Sequence, residues 1–503
     1  MSAHTEQLSQ QPAFPNPPLS SDNNRIPGTD SDINAIGEVF ADQKKAFLDN
    51  AFPDYQTRLG HLRTLFRMVE ENTDALVQAL NSDFGCRSAR ESNIAEIVGS
   101  LSSIRYQMRN LRNFMKPERR RTSIWFLPGK GEVAFRPLGV VGVIAPWNYS
   151  VHLTMAPVAA ALAAGNRVMA KMSELTPATS ALVRRLVSEY FPADVVCVFD
   201  GEVEVSRRFS SMPFDHLLFT GSTAVGRQIA KAAAQNLTPV TLELSGKSPV
   251  IIGKNYSVEE AANRILWGNV FNAGQTCVAP DYILVPEDKL VDFVRAARSA
   301  CQRLYPDGLD NENYTSVINH HHWQRVVHLM DDARANGAEV LPLLDVDPAP
   351  LSARNKVVPS LVIQPGPDCL ISREEVFGPV MSVFVYKTAA EAVQFIKQNP
   401  DPLALYVFSH HSDEVNYYTN RVSAGNVAVN DVMLQYLQND LPFGGVGNSG
   451  SGKYHGKEGF RAFSNSQGVF TQSGPGNFTG LKLLYPPYGR ITAMMIRALK
   501  FWP

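Results

Sequence analysis

The feature that most constrains this chain is a rhythm between residues 140 and 244, where short β-branched runs alternate with stretches of helical period. The run from Val140 to Ala145 (VVGVIA) offers no polar position at which a face could meet water, so it reads as a strand buried on both faces. An alanine-rich helical run, 156 to 164, follows and closes at Gly165-Asn166. Residues 167–171, 195–199, 216–219 and 240–244 repeat the strand reading, with helical segments between them. Such a succession predicts a doubly wound parallel sheet, a nucleotide-binding architecture whose ligands lie at the carboxyl ends of the strands. A second alternating stretch, from Pro249 to about Val429, predicts another α/β domain.

Around this frame, residues 32 to 115 carry apolar positions at helical spacing among charges, including Leu59, Leu62, Leu65, Phe66 and Val69, and predict several amphipathic helices. Residues 122 to 137 read as a two-strand hairpin: Trp125, Phe126 and Leu127, a PGKG turn at 128 to 131, then Val133 and Phe135. The glycines of GGVGNSG at 444 to 450 mark a long flexible loop. Residues 1 to 30, rich in Pro, Ser, Asn and Gln, are expected to form a disordered arm and lack the pattern of a secretory signal. The last segment, 491 to 502, is too short to span a bilayer. It reads first as a terminal helix docked on the protein or a neighbouring subunit, and peripheral membrane contact stays open.

Composition removes several function classes. Lys and Arg total 47 against 48 for Asp and Glu, so nothing global attracts nucleic acid or anionic lipid, and a small molecule is the default partner. The five cysteines, Cys86, Cys197, Cys277, Cys301 and Cys369, form no CxxC pair, which argues against a disulfide framework or a metal site and for reduced cytoplasm.

The positions after the strands carry the chemistry. Cys277 ends FNAGQTC after a Gly-Gln turn; read alone, a lone cysteine is more often buried and inert. Glu243 sits in an otherwise apolar strand, where an ionised carboxylate must be paired, hydrated or shifted in pKa, and an end-of-strand salt bridge is the plainer account. Asn148, in PWNY, follows a buried strand at its ligand-facing end and can donate to a developing oxyanion, though asparagine is common at turns. Gly221 and Ser222 stand between a strand and a helix, where free N–H groups favour a phosphate. Lys171 and Glu174 follow another strand, and could hold ribose hydroxyls or form an ordinary solvated pair. Glu375 and Phe377 join an acid and an aromatic at a tight turn.

Together, in this order, these motifs resemble the aldehyde dehydrogenase superfamily from about Asp32 onward: PWNY at 146–149, FTGS at 219–222, LELSGK at 242–247, GQTC at 274–277 and EEVFGP at 374–379. Ser150 stands where the family often has Pro, and Ser245 where it often has Gly. The resemblance implies an α/β fold with a Rossmann-type cofactor domain (31–121 and 138–244) and an α/β catalytic domain (245–429). It adds a small bridging β element for oligomerisation (122–137 and 430–490) and a C-terminal amphipathic segment (491–503).

It further implies Cys277 as nucleophile, Glu243 as the base that activates water, and Asn148 with the Cys277 N–H as oxyanion hole. Lys171, Glu174, Gly221, Ser222, Glu375 and Phe377 would hold the cofactor. Glu174 favours NAD, while nearby Lys171 leaves NADP open. Within the superfamily the chain is similar to the class 3 branch through YPPY at 485–488. It is similar to bacterial coniferyl aldehyde dehydrogenases through residues 115–121 and 136–142. The expectation is oxidation of coniferyl aldehyde to ferulate in a pocket including Tyr149, Phe271 and Phe443, by a cytoplasmic homodimer that binds neither metal nor nucleic acid. The alternatives are a medium-chain or fatty aldehyde, a CoA-acylating semialdehyde dehydrogenase, which a retained Glu243 argues against, and a non-catalytic binding protein.

Overall fold

The strands of the 140–244 rhythm assemble into one sheet, in the order Gly450–Ser451, Val240–Leu244, His216–Gly221, Val140–Ile144, Arg167–Lys171, Val196–Phe199. The computed structural model describes residues 29–123, 126–472 and 484–501. All pairings in this sheet are parallel except that of Gly450–Ser451. The chain builds outward from Val140–Ile144 to one side, then returns to pair His216–Gly221 on its other side. That reversal opens a crevice at the carboxyl ends of these two central strands, where PWNY and FTGS begin.

A second sheet has seven strands, ordered Glu339–Pro342, Ser360–Ile363, Val380–Tyr386, Tyr282–Pro286, Pro249–Ile252, Ala404–Phe408, Asn426–Val429. Only its first strand runs antiparallel. A third sheet is small and antiparallel: Lys130–Pro137 lies between Glu118–Arg120 and Ser464–Thr471. Here the structure corrects the 122–137 hairpin. The strand preceding the turn is Glu118–Arg120, three charged residues on an exposed edge, and Phe126 begins a tight turn instead of lying in a strand. Ile124 and Trp125 lie outside the described residues.

Helix His152–Ala164 is buried along its whole length between the first sheet and the opening helices, so neither end can rely on water for its free backbone groups. Charged side chains from the opening helices complete both ends. Glu96 accepts from Val151 N and His152 N at 2.9 and 2.8 Å, and Arg58 donates to the carbonyls of Ala163 and Ala164 at 3.1 and 2.8 Å. The signs match the helix dipole. Arg87 pairs with Glu96 at 3.0 Å, both side chains without solvent exposure, and its guanidinium lies over the Phe84 and Tyr149 rings.

Two further expectations are revised, and the terminal segment is helical as expected. Most of the 1–30 arm lies outside the described residues, but a helix runs Thr29–Asp49, so the arm's last two residues belong to it. The 444–450 glycines form a tight turn: a side chain on Gly445 would meet the Ser449 carbonyl, and Gly450, at φ 144°, crosses Leu242 O too closely for any Cβ. Close packing, more than flexibility, requires glycine there. The terminal segment forms helix Arg490–Phe501, whose Ile491, Met494 and Ile496 are not covered by this chain.

Removing Arg87 would leave Glu96 buried without its cation. Arg87→Met is therefore expected to destabilise the protein by about 3 to 5 kcal/mol, read as a lower urea midpoint; an unchanged midpoint would show that the pair does not hold the helix start.

Candidate active site

Strand Val240–Leu244 carries Glu243 into a buried position, paired across the sheet with Thr220 on one side and Gly450 on the other. The carboxyl group is close enough to the Cys277 thiol for each to shift the other's ionisation, and its Oε1 has no hydrogen-bond partner among the described residues. Burial is the main cause that raises Glu243 to about 8, and the Cys277 thiol holds it back in part. The Cys277 thiol is pushed well above its ordinary range, first by burial and then by the negative charges of Glu243 and Glu375; its own backbone N–H works the other way. Neither group can ionise cheaply by itself. They are disposed to share one proton.

Cys277 reaches this place on a strained loop. Helix Val258–Val270 ends at Phe271, and Asn272 and Ala273 then adopt left-handed backbone (φ 52° and 51°) ahead of Gly274 (φ 72°). Side-chain amides secure the turn: Asn272 Nδ2 lies 3.2 Å from both Asn148 O and Gln275 O, while Gln275 Nε2 donates to Asn272 O at 2.9 Å and Ser316 O at 3.1 Å. Asn148 comes from the other sheet, on the turn after Val140–Ile144. Its Nδ2 donates to Gln275 O at 3.1 Å. That amide nitrogen has two hydrogens, so one fixes the group and the second is available to a reacting oxygen. Next to it, the Tyr149 hydroxyl and Thr276 Oγ1 are 2.6 Å apart.

The predicted cofactor residues lie at a strand end, at a helix start and in a tight turn. Lys171, buried at the end of its strand, contacts exposed Glu174 at 3.3 Å, and burial lowers its pKa. Ser222 caps helix Thr223–Ala234, its Oγ accepting from Val225 N at 3.3 Å, immediately after Gly221. The Glu375–Phe377 turn is held from beneath by Lys247, which pairs with Asp281 and donates to Ile371 O at 3.0 Å and Glu374 O at 2.8 Å. Asp281 in turn accepts from Val376 N at 2.8 Å. Phe377 has φ 50°, a conformation costing about 1 to 3 kcal/mol, and its ring meets Trp147 at 5.3 Å. Burial raises Glu375 to about 8, and Ser245, one of the two departures from the family pattern, hydrogen-bonds to it. The other departure, Ser150, is buried, and its hydroxyl has no partner among the described residues.

The three predicted pocket residues, Tyr149, Phe271 and Phe443, belong to one buried apolar cluster. Phe271 lines a cavity of about 340 Å³ together with Arg90, Glu91, Trp267, Leu304 and Tyr305. Phe443 packs among Tyr436, Tyr454 and His455. Tyr436 and Tyr454 lie close enough to Cys277 and Glu243 to feel their charges. Sequence reasoning missed these tyrosines along with Glu91, Glu96 and Arg87, because each lies in a stretch with no loop signal of its own. Among the described residues no cluster of His, Cys, Asp and Glu is arranged to hold a metal ion.

Comparison with known proteins gives this geometry a lineage. Residues 26–469 match the model of the aldehyde dehydrogenase family. The chain is 42% identical over 468 residues to a probable coniferyl aldehyde dehydrogenase of Pseudomonas aeruginosa, covering 93% of this chain and 97% of that protein. It is 40% identical to the coniferyl aldehyde dehydrogenase of a Pseudomonas species, covering 90% and 94%. Among solved structures, substrate-bound AldH of Staphylococcus aureus superposes with a TM-score of 0.87 at 34% identity, covering 92% of this chain and 99% of that one. Betaine aldehyde dehydrogenase of the same organism, in complex with NAD+, gives 0.78 at 28% identity, covering 88% of each chain. A chain matched over this length, with an apposed cysteine and glutamate at the meeting of its two sheets, belongs to the aldehyde dehydrogenase family.

Proposed function

We propose that this enzyme oxidises coniferyl aldehyde to ferulate with NAD(P)+, using Cys277 as nucleophile, Glu243 as base and Asn148 as oxyanion donor. The observation that carries the reading is the apposition of buried Glu243 and the Cys277 thiol, beside an Asn148 amide with one hydrogen to spare. Glu243 takes the thiol proton as sulfur attacks the carbonyl carbon, and the Asn148 N–H, with that of Cys277, receives the oxyanion. NAD(P)+ supplies the hydride acceptor when bound. Glu243 gives the thiol proton up to solvent and, ionised again, deprotonates the water that hydrolyses the thioester, which releases the acid and restores the Cys277 thiol. This last step separates the reading from acyl transfer to CoA, for which no water-activating carboxylate is needed.

The residues fit the cofactor. Ser222 at the start of helix Thr223–Ala234 would hold the pyrophosphate, Lys171 with Glu174 the adenosine ribose, and Glu375, whose charge reaches Cys277, with Phe377 the nicotinamide ribose. Glu174 supports NAD, and Lys171 supports some acceptance of NADP. Relatives named for coniferyl aldehyde support a planar aryl substrate over an alkyl one. The domain division given by the resemblance, and a homodimer bridged through 122–137 and 430–490, belong to the same proposal. So does a cytoplasmic setting, for which the absence of any disulfide among the described cysteines speaks. Among the described residues no helix is long and apolar enough to cross a membrane.

Three outcomes follow from the reading. Cys277→Ala should abolish NADH formation at 340 nm and Asn148→Ala should lower kcat by about 10² to 10³; activity surviving in Cys277→Ala would overturn the mechanism. Glu243 works as a base only when ionised, so kcat should rise with pH through about 8. Glu243→Gln should flatten that profile and lower the rate by about 10² or more, and an unchanged profile would remove Glu243 from the role. With CoA absent, kcat/KM for coniferyl aldehyde should exceed that for benzaldehyde and hexanal by about tenfold, or about 1.4 kcal/mol. A preference for hexanal would move the substrate to the alkyl aldehydes and leave the chemistry in place.

A further inference from the structure

The loop that carries Cys277 is left-handed at two non-glycine residues in succession, and something must hold it there. The amides of Asn272 and Gln275 secure it from within and from the Asn148 turn. A further side chain reaches its backbone from the opening helical layer. Glu91, in the short helix Ala89–Ser92, accepts from Asn272 N at 3.1 Å through Oε2, and the same oxygen accepts from Thr315 Oγ1 at 2.7 Å. Thr315 is itself fixed, since its hydroxyl accepts from Ser88 N at 3.2 Å. Glu91 also belongs to the wall of the 340 Å³ cavity. From this carboxylate the bonds run through Asn272 to Asn148 O and Gln275 O, the latter being the carbonyl that holds the Asn148 amide.

We infer that Glu91 is a positioning residue for aldehyde oxidation: its carboxylate clamps the Asn272 N–H, keeps the Asn272-Ala273 turn left-handed, and so aims both the Asn148 amide and the Cys277 thiol. The inference rests on the reading of Cys277 and Asn148 given above. Burial favours the neutral acid and raises Glu91 to about 7, while Thr315 and the Asn272 N–H hold that rise back. What the loop uses is a fixed acceptor. A neutral amide oxygen in the same place serves it, and removing the left-handed strain lessens the demand for it.

Three variants separate this from a general loss of structure: Glu91→Ala, Glu91→Gln, and Glu91→Ala combined with Ala273→Gly. Each is assayed for kcat and KM, and for cofactor affinity by quenching of tryptophan fluorescence on NAD+ addition. Glu91→Ala should lower kcat by about 100-fold, the loss that a misplaced reacting group produces, with NAD+ affinity unchanged. Glu91→Gln should stay within about threefold of wild type, because its amide oxygen still accepts both hydrogen bonds. The double variant should regain at least about fivefold over Glu91→Ala, since glycine adopts the left-handed turn without penalty. A Gln variant as slow as the Ala variant, or a double variant no faster than the single one, would overturn the inference. Should Glu91→Ala not fold, Thr315→Val removes one anchor of the same carboxylate while leaving it in place. A kcat loss of about fivefold is then expected, and wild-type kcat would overturn the inference. Full activity in a parallel Cys277→Ala variant would instead remove the reading on which it rests.

Discussion

A helix buried on every face cannot borrow water to finish its ends, and this requirement at His152–Ala164 organises much of what surrounds it. Glu96 and Arg58 supply the missing partners from the opening helices, so that the layer predicted only as amphipathic packing is also what fixes the helix in place. Because the helix start is pinned, the turn just before it has a defined position, and Asn148 lies in that turn. Asn148 then meets Gln275 and Asn272 from the second sheet. The two sheets are thus registered through side-chain amides at the point where a substrate carbonyl would sit.

Four buried or half-buried carboxylates surround this junction, and their partners differ in a way that sorts them. Glu96 has a guanidinium and two backbone donors, Glu91 a hydroxyl and one backbone donor, Glu375 a serine hydroxyl and two cations at longer range. Glu243 has only a thiol that is itself reluctant to ionise. Desolvation penalises charge at all four, but a carboxylate with fixed donors is spent on structure, whereas one facing a weak acid is free to exchange a proton during turnover.

The parallel strands were legible because a strand buried on both faces leaves a continuous apolar signature, and Val140–Ile144 and Val240–Leu244 carry it plainly. The motif residues were legible through their joint order. What stayed hidden depends on distant partners. Glu118–Arg120 is a strand only because Lys130–Pro137 pairs with it, and three charged residues carry no strand signal of their own. Glu91, Glu96 and Arg87 read as the polar positions of a helical layer, since spacing alone does not distinguish a solvated charge from one folded inward. The 444–450 glycines suggested freedom where the structure uses their lack of side chains to bring two backbones together.

Gly450–Ser451 completes the sheet edge beside Glu243, though some two hundred residues separate them in the chain. During synthesis the glutamate and cysteine leave the ribosome well before that edge strand exists, and a contact of such long range forms late in folding. A chain interrupted before residue 450 would contain both reacting groups but lack the backbone that closes over one of them. Closure over the glutamate therefore waits on chain made about two hundred residues after it.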